Sequence, residues 1–295
     1  MKAPRRPVAI VGLGCIGGSL ARALIAQGIE VRGWSTSGSD RQRAAAAGVS
    51  VAEGDAPLAA LCLGATSVVL AVPFPHLAGV ARALLAVAPP QVRIFHVGGL
   101  QQRAALGMEE IAWARIIGTH PLAGSHDTGF EASRADLFVG STVCIEARAD
   151  LRGRRTAEWL WRTAGAQRVD YQAAEEHDRL MAWVSHLPQL TATALAYTLA
   201  AAGIDPAETG SGARDTTRLA ATPLGAWPAL LRGAPAEIDV ALSRLERTLS
   251  DLRAALSAED DDRLATVWER AAAWRRQTGG SGPGDGGTGG GARRA

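Results

Sequence analysis

The sequence predicts an α/β chain, with an N-terminal doubly wound, mostly parallel sheet followed by an all-helical C-terminal domain. Three observations carry that reading. A glycine-rich turn, Gly12-Leu13-Gly14-Cys15-Ile16-Gly17, joins an apolar strand pattern to an apolar helix pattern near the start of the chain. Short apolar runs then alternate with helical periodicity as far as Val169-Asp170, the pattern of strands joined by crossover helices. Beyond that point the apolar residues recur at steps of three and four, and no convincing strand follows. The expected boundaries are 1–170 for the first domain, 171–277 for the second and 278–295 for a glycine-rich, disordered tail.

Composition bounds the function. A chain of 295 residues is long enough for one large or two modest domains. With 47% hydrophobic and 20% charged residues it falls among ordinary soluble proteins. A net charge of +2 without a clustered basic face argues against a nucleic-acid partner. Cys15, Cys62 and Cys144 are odd in number and lack metal-ligand spacing, so neither a disulfide framework nor a metal site is expected. A cytoplasmic location follows, with no membrane partner: the apolar run Val8 to Leu13 is too short for a signal peptide, and no stretch would span a bilayer.

Pro7 to Leu13 reads as a buried strand, and Ile16, Leu20 and Leu24 mark a helix that stops at Gly28. Between them, Gly12 permits the tight turn, Gly14 lets the backbone approach a pyrophosphate, and Gly17 lets helix and strand pack closely. Cys15 and Ile16 open the helix, whose N-terminus faces the anion. This is a Rossmann-type dinucleotide site. The next strand, Glu30 to Trp34, ends in Ser35-Thr36-Ser37 without the acid expected for a ribose 2′-hydroxyl. Hydroxyls with Arg41 and Arg43 downstream favour NADP, or the use of both NADP and NAD.

Val49 to Val51, Ser67 to Val72, Val92 to Val97 and Arg115 to Thr119 continue the strands, with His76 to Val87 as one of the helices between them. Val72-Pro73 closes the fourth strand, where the nicotinamide half of a dinucleotide lies. His120 follows the run Arg115-Ile116-Ile117 and precedes Pro121, which cannot donate to a ladder. A strand-end imidazole points into the ligand crevice and has an ordinary pKa of about 6.5, suited to proton transfer. Ser141 to Glu146 is a further strand and Leu151 to Ala164 a further helix.

In the second domain, Gln172 to Ala202 reads as one long helix kinked by Pro188, which frees the Val184 carbonyl beside His186. Ile238, Leu242, Leu245, Leu249, Leu252 and Leu256 form a bundle or coiled-coil seam, either an intramolecular core or a dimer interface. Ser257 is expected to cap the last helix, which runs through Trp268 and Trp274. No regulatory domain is expected after Trp274, where only the glycine-rich tail remains.

Four motifs taken in order resemble the prephenate/arogenate dehydrogenase family of tyrosine biosynthesis: Gly118-Thr119-His120-Pro121-Leu122-Ala123-Gly124, Glu176-His177-Asp178, Ser185-His186-Leu187-Pro188-Gln189 and Arg214-Asp215-Thr216-Thr217-Arg218. The resemblance runs from about Val8 to about Trp274. It implies oxidative decarboxylation of prephenate to 4-hydroxyphenylpyruvate with hydride transfer to NAD(P). The leucine seam from Ile238 to Leu256 and the long kinked helix suggest a homodimer built on the second domain. His120 matches the catalytic histidine and Arg218 the arginine that grips a substrate carboxylate; Asp215 is expected to orient Arg218 or a neighbouring helix terminus. His177 and His186 match histidines that shape the substrate site.

Three departures accompany the resemblance. Gly99 stands where many members carry a serine, Gln189 replaces a second histidine, and His126 stands where an acid often reads the substrate side chain. An acid there would suit arogenate, so His126 favours prephenate, although Asp127 is adjacent. Arogenate dehydrogenase is the alternative activity, and a non-catalytic NAD(P)-binding sensor is the alternative of another class. β-Hydroxyacid dehydrogenases share this domain order but use a lysine in the helical domain, and the single lysine here is Lys2.

Overall fold

The computed structural model describes residues 7–102, 107, 115–124, 127–225 and 227–277. Residues 1–241 form one compact unit and 242–295 a second. The expected disordered tail lies outside the described residues.

The first unit is built on an eight-stranded sheet of order β3-β2-β1-β4-β5-β6-β7-β8. Its strands are β1 (Val8–Val11), β2 (Val31–Trp34), β3 (Ser50–Val51), β4 (Ser67–Leu70), β5 (Arg93–His96), β6 (Ile116–Pro121), β7 (Thr142–Glu146) and β8 (Arg168–Gln172). The connecting helices are α1 (Cys15–Ala26), α2 (Gly38–Ala46), α3 (Pro57–Cys62), α4 (Phe74–Val87) and α5 (Leu151–Thr163). All four residues of β1 and of β4 are buried, as expected of central parallel strands covered on both faces. Alternation sends Val8 and Ile10 to a core shared with Leu20 and Leu24 of α1, whereas Ala9 and Val11 join Leu77, Ala81 and Leu84 of α4. The order reverses between β1 and β4, and the carboxyl ends of these strands frame a ligand crevice.

Several predicted boundaries move. β6 does not end before Pro121: it runs on through His120 and Pro121, which pair antiparallel with Cys144 and Val143 of β7. Proline is tolerated because it stands at the strand's last position, and the next residue, Leu122, donates to the Thr142 carbonyl. Gln172 closes β8 rather than opening a helix.

The long second-domain helix is interrupted. α6 (Ala174–Met181) passes into a π turn (Ala182–His186) and then α7 (Leu187–Ala201). Pro188 has no N–H for the Val184 carbonyl, and the ladder widens just before it, with the Leu187 N–H donating to the Ala182 carbonyl. The kink is therefore a π bulge ending on His186, a form common at functional sites. Then come α8 (Ser211–Thr217), a 3₁₀ turn (Arg218–Ala221), α9 (Trp227–Gly233) and α10 (Pro235–Ser257).

The second unit holds the C-terminal part of α10 and α11 (Asp261–Gln277). Ser257 is not the cap of α11. Its hydroxyl donates back to the Arg253 carbonyl within α10, and Asp260 caps α11 by accepting from the Arg263 N–H at 3.0 Å. The leucine seam is only partly covered: Leu249 is 57% and Leu256 65% exposed, and Trp268 and Trp274 are also exposed. Among the described residues no helix is long and apolar enough to cross a membrane.

Candidate active site

The glycine turn sits over the crevice for reasons of backbone geometry. Gly12 has φ +95°, and a Cβ there would collide with the Ala71 carbonyl. A Cβ on Gly17 would strike the Gly12 carbonyl, whereas Gly14, the N-cap of α1, faces open space. α1 carries no acid in its first turn, so its unpaired N–H groups meet no competing anion on their own helix. They open on a cavity of about 760 Å³. Gly12, Gly14, Cys15 and Ile16 line it from the turn, Ser35 and Thr36 from the end of β2, and Val72 and Pro73 from the end of β4. Gly17 supports the turn from beneath. The shape and the free N–H groups fit a dinucleotide.

At the end of β2, Arg41 donates to the carbonyls of Ser35 and Thr36 at 2.5 and 3.2 Å. Arg43 pairs instead with Glu131 at 3.2 Å. Asp40, on the same helix, accepts from the Phe130 N–H at 2.9 Å and thereby ties the segment after β6 to the cavity rim. Asp127 lines the cavity too, close enough to Cys15 to help burial raise its thiol pKa.

Behind the Gly99 wall of the cavity stands a cluster of histidines. His120 is half-buried at the end of β6, and its Cε1 lies 4.0 Å from the place a Cβ of Gly99 would occupy. Gly99 lines the cavity, and the missing side chain leaves room for Leu230 of α9 at 3.4 Å. His120 Nδ1 is 3.0 Å from His177 Nε2, and His177 Nδ1 is 2.7 Å from Asp178 Oδ1. His177 and Asp178 are fully buried. The Asp178 carboxylate also accepts from the N–H groups of Gln101 and Gln102, at 2.8 and 2.9 Å. His96, buried at the end of β5, accepts at Nδ1 from the Gly98 N–H at 3.2 Å.

Burial favours the neutral form of His120, His96 and His186. It pushes His120 down to about 3, helped by His177, His96 and His186, and pushes His96 down to about 4. His186 is lowered as well, chiefly by burial. His186 ends the π turn at 2% exposure, lies edge-on to Trp227 at 6.0 Å, and has a buried Nδ1 with no hydrogen-bond partner among the described residues.

The remaining expected site residues are more scattered. Gln189 donates to the Leu219 carbonyl at 2.9 Å and to the Thr193 hydroxyl at 3.3 Å, so its amide holds the 3₁₀ turn that Arg218 begins. Arg218 itself is exposed, as is Asp215. His126 lies outside the described residues. Sequence reasoning missed Asp178 and His96 as parts of the cluster. The only signal for Asp178 was its place in the Glu176-His177-Asp178 motif, and nothing local marks His96.

A dinucleotide cradle facing a neutral, half-buried histidine defines an NAD(P)-dependent oxidoreductase. The family model for the prephenate dehydrogenase nucleotide-binding domain matches residues 20–155, and that for its dimerization domain matches residues 173–270. The chain belongs to the prephenate dehydrogenase family. It is 29% identical over 270 residues to the cyclohexadienyl dehydrogenase of Zymomonas mobilis, spanning 87% of this chain and 90% of the relative. Similarity to the prephenate dehydrogenase of Bacillus subtilis is 25% over 279 residues, covering 91% and 75% of the two chains. The fold is shared with the Aquifex aeolicus prephenate dehydrogenase solved with hydroxyphenyl propionate and NAD+, at a TM-score of 0.85 and 23% identity over 94% of this chain and all of that one. It is also shared with Synechocystis arogenate dehydrogenase, at a TM-score of 0.77 and 22% identity over 92% and 99% of the two chains.

Proposed function

We propose that the protein oxidatively decarboxylates prephenate to 4-hydroxyphenylpyruvate, with hydride transfer to NAD(P), in tyrosine biosynthesis. The observation that carries this reading is His120, a neutral imidazole beside the Gly99 wall of the dinucleotide cavity. A bound nicotinamide dinucleotide supplies the hydride acceptor. The turn at Gly12, Gly14, Cys15, Ile16 and Gly17, with Ser35, Thr36, Val72 and Pro73, would hold it.

His120 accepts the proton of the ring hydroxyl, general base catalysis worth roughly two to four orders of magnitude. Arg218 grips a substrate carboxylate with its guanidinium fork, steadied by the turn that Gln189 holds. His186 closes the substrate side with Trp227. Aromatisation of the ring drives the loss of carbon dioxide.

Ser35, Thr36 and the adjacent Arg41 support NADP, or both cofactors, because they offer hydroxyls and a cation where an NAD enzyme commonly has an acid. Prephenate is preferred to arogenate because Asp127, the nearest acid to position 126, lines the dinucleotide cavity beside Cys15. A homodimer is supported by the dimerization-domain match and by the exposed Leu249 and Leu256. A cytoplasmic location accords with a pathway of small soluble metabolites. The test offers prephenate and arogenate, each with NADP and NAD, to the purified protein and follows the nicotinamide absorbance. Prephenate with NADP is expected to give the highest kcat/KM. Cofactor binding without turnover of either substrate would instead make the protein a sensor.

A further inference from the structure

The hydrogen bonds behind His120 fix where its protons are. Asp178 Oδ1 and Oδ2 accept from the backbone N–H groups of Gln101 and Gln102, so both carboxyl oxygens serve as acceptors. The third partner of this carboxylate, His177 Nδ1 at 2.7 Å, is therefore a donor. A neutral imidazole protonated at Nδ1 carries its lone pair on Nε2. With His177 in this one-proton form, that lone pair stands 3.0 Å from His120 Nδ1, which then supplies the hydrogen. The free lone pair of His120 is then on Nε2.

We propose that His177 and Asp178 are positioning residues that hold His120 in its Nδ1–H form and receive its proton during turnover. The proposal rests on the reading of His120 as the base. In the step, the substrate O–H bond breaks and its electron pair stays on oxygen while the proton bonds to His120 Nε2. The His120 Nδ1–H bond breaks as an N–H bond forms at His177 Nε2. The positive charge ends on His177 against the Asp178 carboxylate, and the proton returns by the same path to the phenolate oxygen that the loss of carbon dioxide leaves, since His177 has no exposure of its own.

The surroundings explain the need for a second ring. Burial and the neighbouring histidines push His120 down to about 3, which makes it a poor final holder of a proton. The groups around the relay are His96 on β5, His120 on β6 and His186 on the π turn, with Asp178 beside His177 on α6. Glu237 of α10 accepts from the Gln102 side chain at 3.4 Å, on the segment that grips Asp178. Of these groups Asp178 alone makes a direct carboxylate contact with His177 among the described residues.

The first test does not depend on the substrate. In ligand-free protein carrying ¹⁵N-histidine, NMR should find His120 as the Nδ1–H tautomer, its signals identified by their loss in His120→Asn; an Nε2–H tautomer overturns the proposal. Asp178→Asn can turn its NH₂ toward His177 and reverse both tautomers, so kcat should fall by at least about a hundredfold with dinucleotide affinity nearly unchanged. His177→Gln keeps an acceptor toward His120 and a donor toward Asp178 but holds no proton. It should preserve the His120 tautomer while kcat falls by about tenfold or more with little change in KM. Normal kcat in His177→Gln, or in a folded Asp178→Asn, overturns the relay.

Discussion

The dinucleotide cavity and the histidine cluster behind its Gly99 wall, the two ends of the site, are built by different means. The dinucleotide end is made of backbone: Gly12, Gly14 and Gly17 act through the side chains they lack, and the anion site is the bare N-terminus of α1. The histidine end is made of buried side chains from segments far apart, with Gln101 and the aspartate that its N–H meets separated by 77 in sequence. At Gly12 and Gly17 the backbone end has no room for an added atom. The histidine end depends instead on which nitrogen carries which hydrogen, a property that leaves the shape unchanged.

Breaking the backbone end should have the largest effect. Gly12→Ala must place a Cβ against the Ala71 carbonyl at φ +95°. Left-handed strain alone is ~1–3 kcal/mol, and with the overlap added, dinucleotide affinity measured by fluorescence titration should fall roughly a hundredfold or more. Unchanged affinity would show that the turn does not form the cradle.

Arg218→Ala should leave dinucleotide affinity alone and raise the KM for prephenate by about tenfold to a hundredfold, the value of hydrogen bonds to a charged group. An unchanged KM removes Arg218 from the site.

Acid should distinguish the two ends by stability. The folded pKa values of His96 and His120 lie below the unfolded value of about 6.5, at about 4 and about 3. Their contribution is therefore fully present above about pH 6.5 and is lost as pH falls toward those values, by up to about 1.4 kcal/mol per pH unit for each ring. Denaturant unfolding at about pH 7.5 and about pH 5 should show this loss, and His96→Gln should make it shallower. At the dinucleotide end, burial raises the Cys15 thiol, which moves its titration further from this range. An equal loss with and without His96 would contradict the assignment of acid sensitivity to the cluster.

The smallest effect is expected at Arg41, whose guanidinium already bonds to the Ser35 and Thr36 carbonyls. Arg41→Ala should lower the preference for NADP over NAD by about threefold to tenfold, as for a single half-buried hydrogen-bonding cation.

This contrast also explains what the sequence revealed. A backbone site leaves glycines at fixed spacing next to a strand and a helix, so the turn, the crevice and most strands were legible. The motif around His120 put it near the strand end, where the structure has it, and Arg218 stands as a proposal from its motif. Asp178 was not, because its role depends on α6 meeting the segment after β5, and no local pattern records that contact. Pro121 suggested a strand end, but the antiparallel register with β7 carried β6 past it. Pro188 signalled a kink without saying that the ladder would widen into a π turn. Ser257 and Asp260 were both plausible caps. Ser257 still belongs to α10 and bonds back to Arg253, which leaves Asp260 in position.

The central claim is that His120 performs proton transfer beside the dinucleotide. The direct measurement is single-turnover nicotinamide reduction with prephenate, in the unmodified protein and in His120→Asn, with dinucleotide affinity determined in parallel. Affinity should be equal in the two, and the rate of reduction should fall by at least about a hundredfold in the variant. A near-normal rate in His120→Asn would contradict the account.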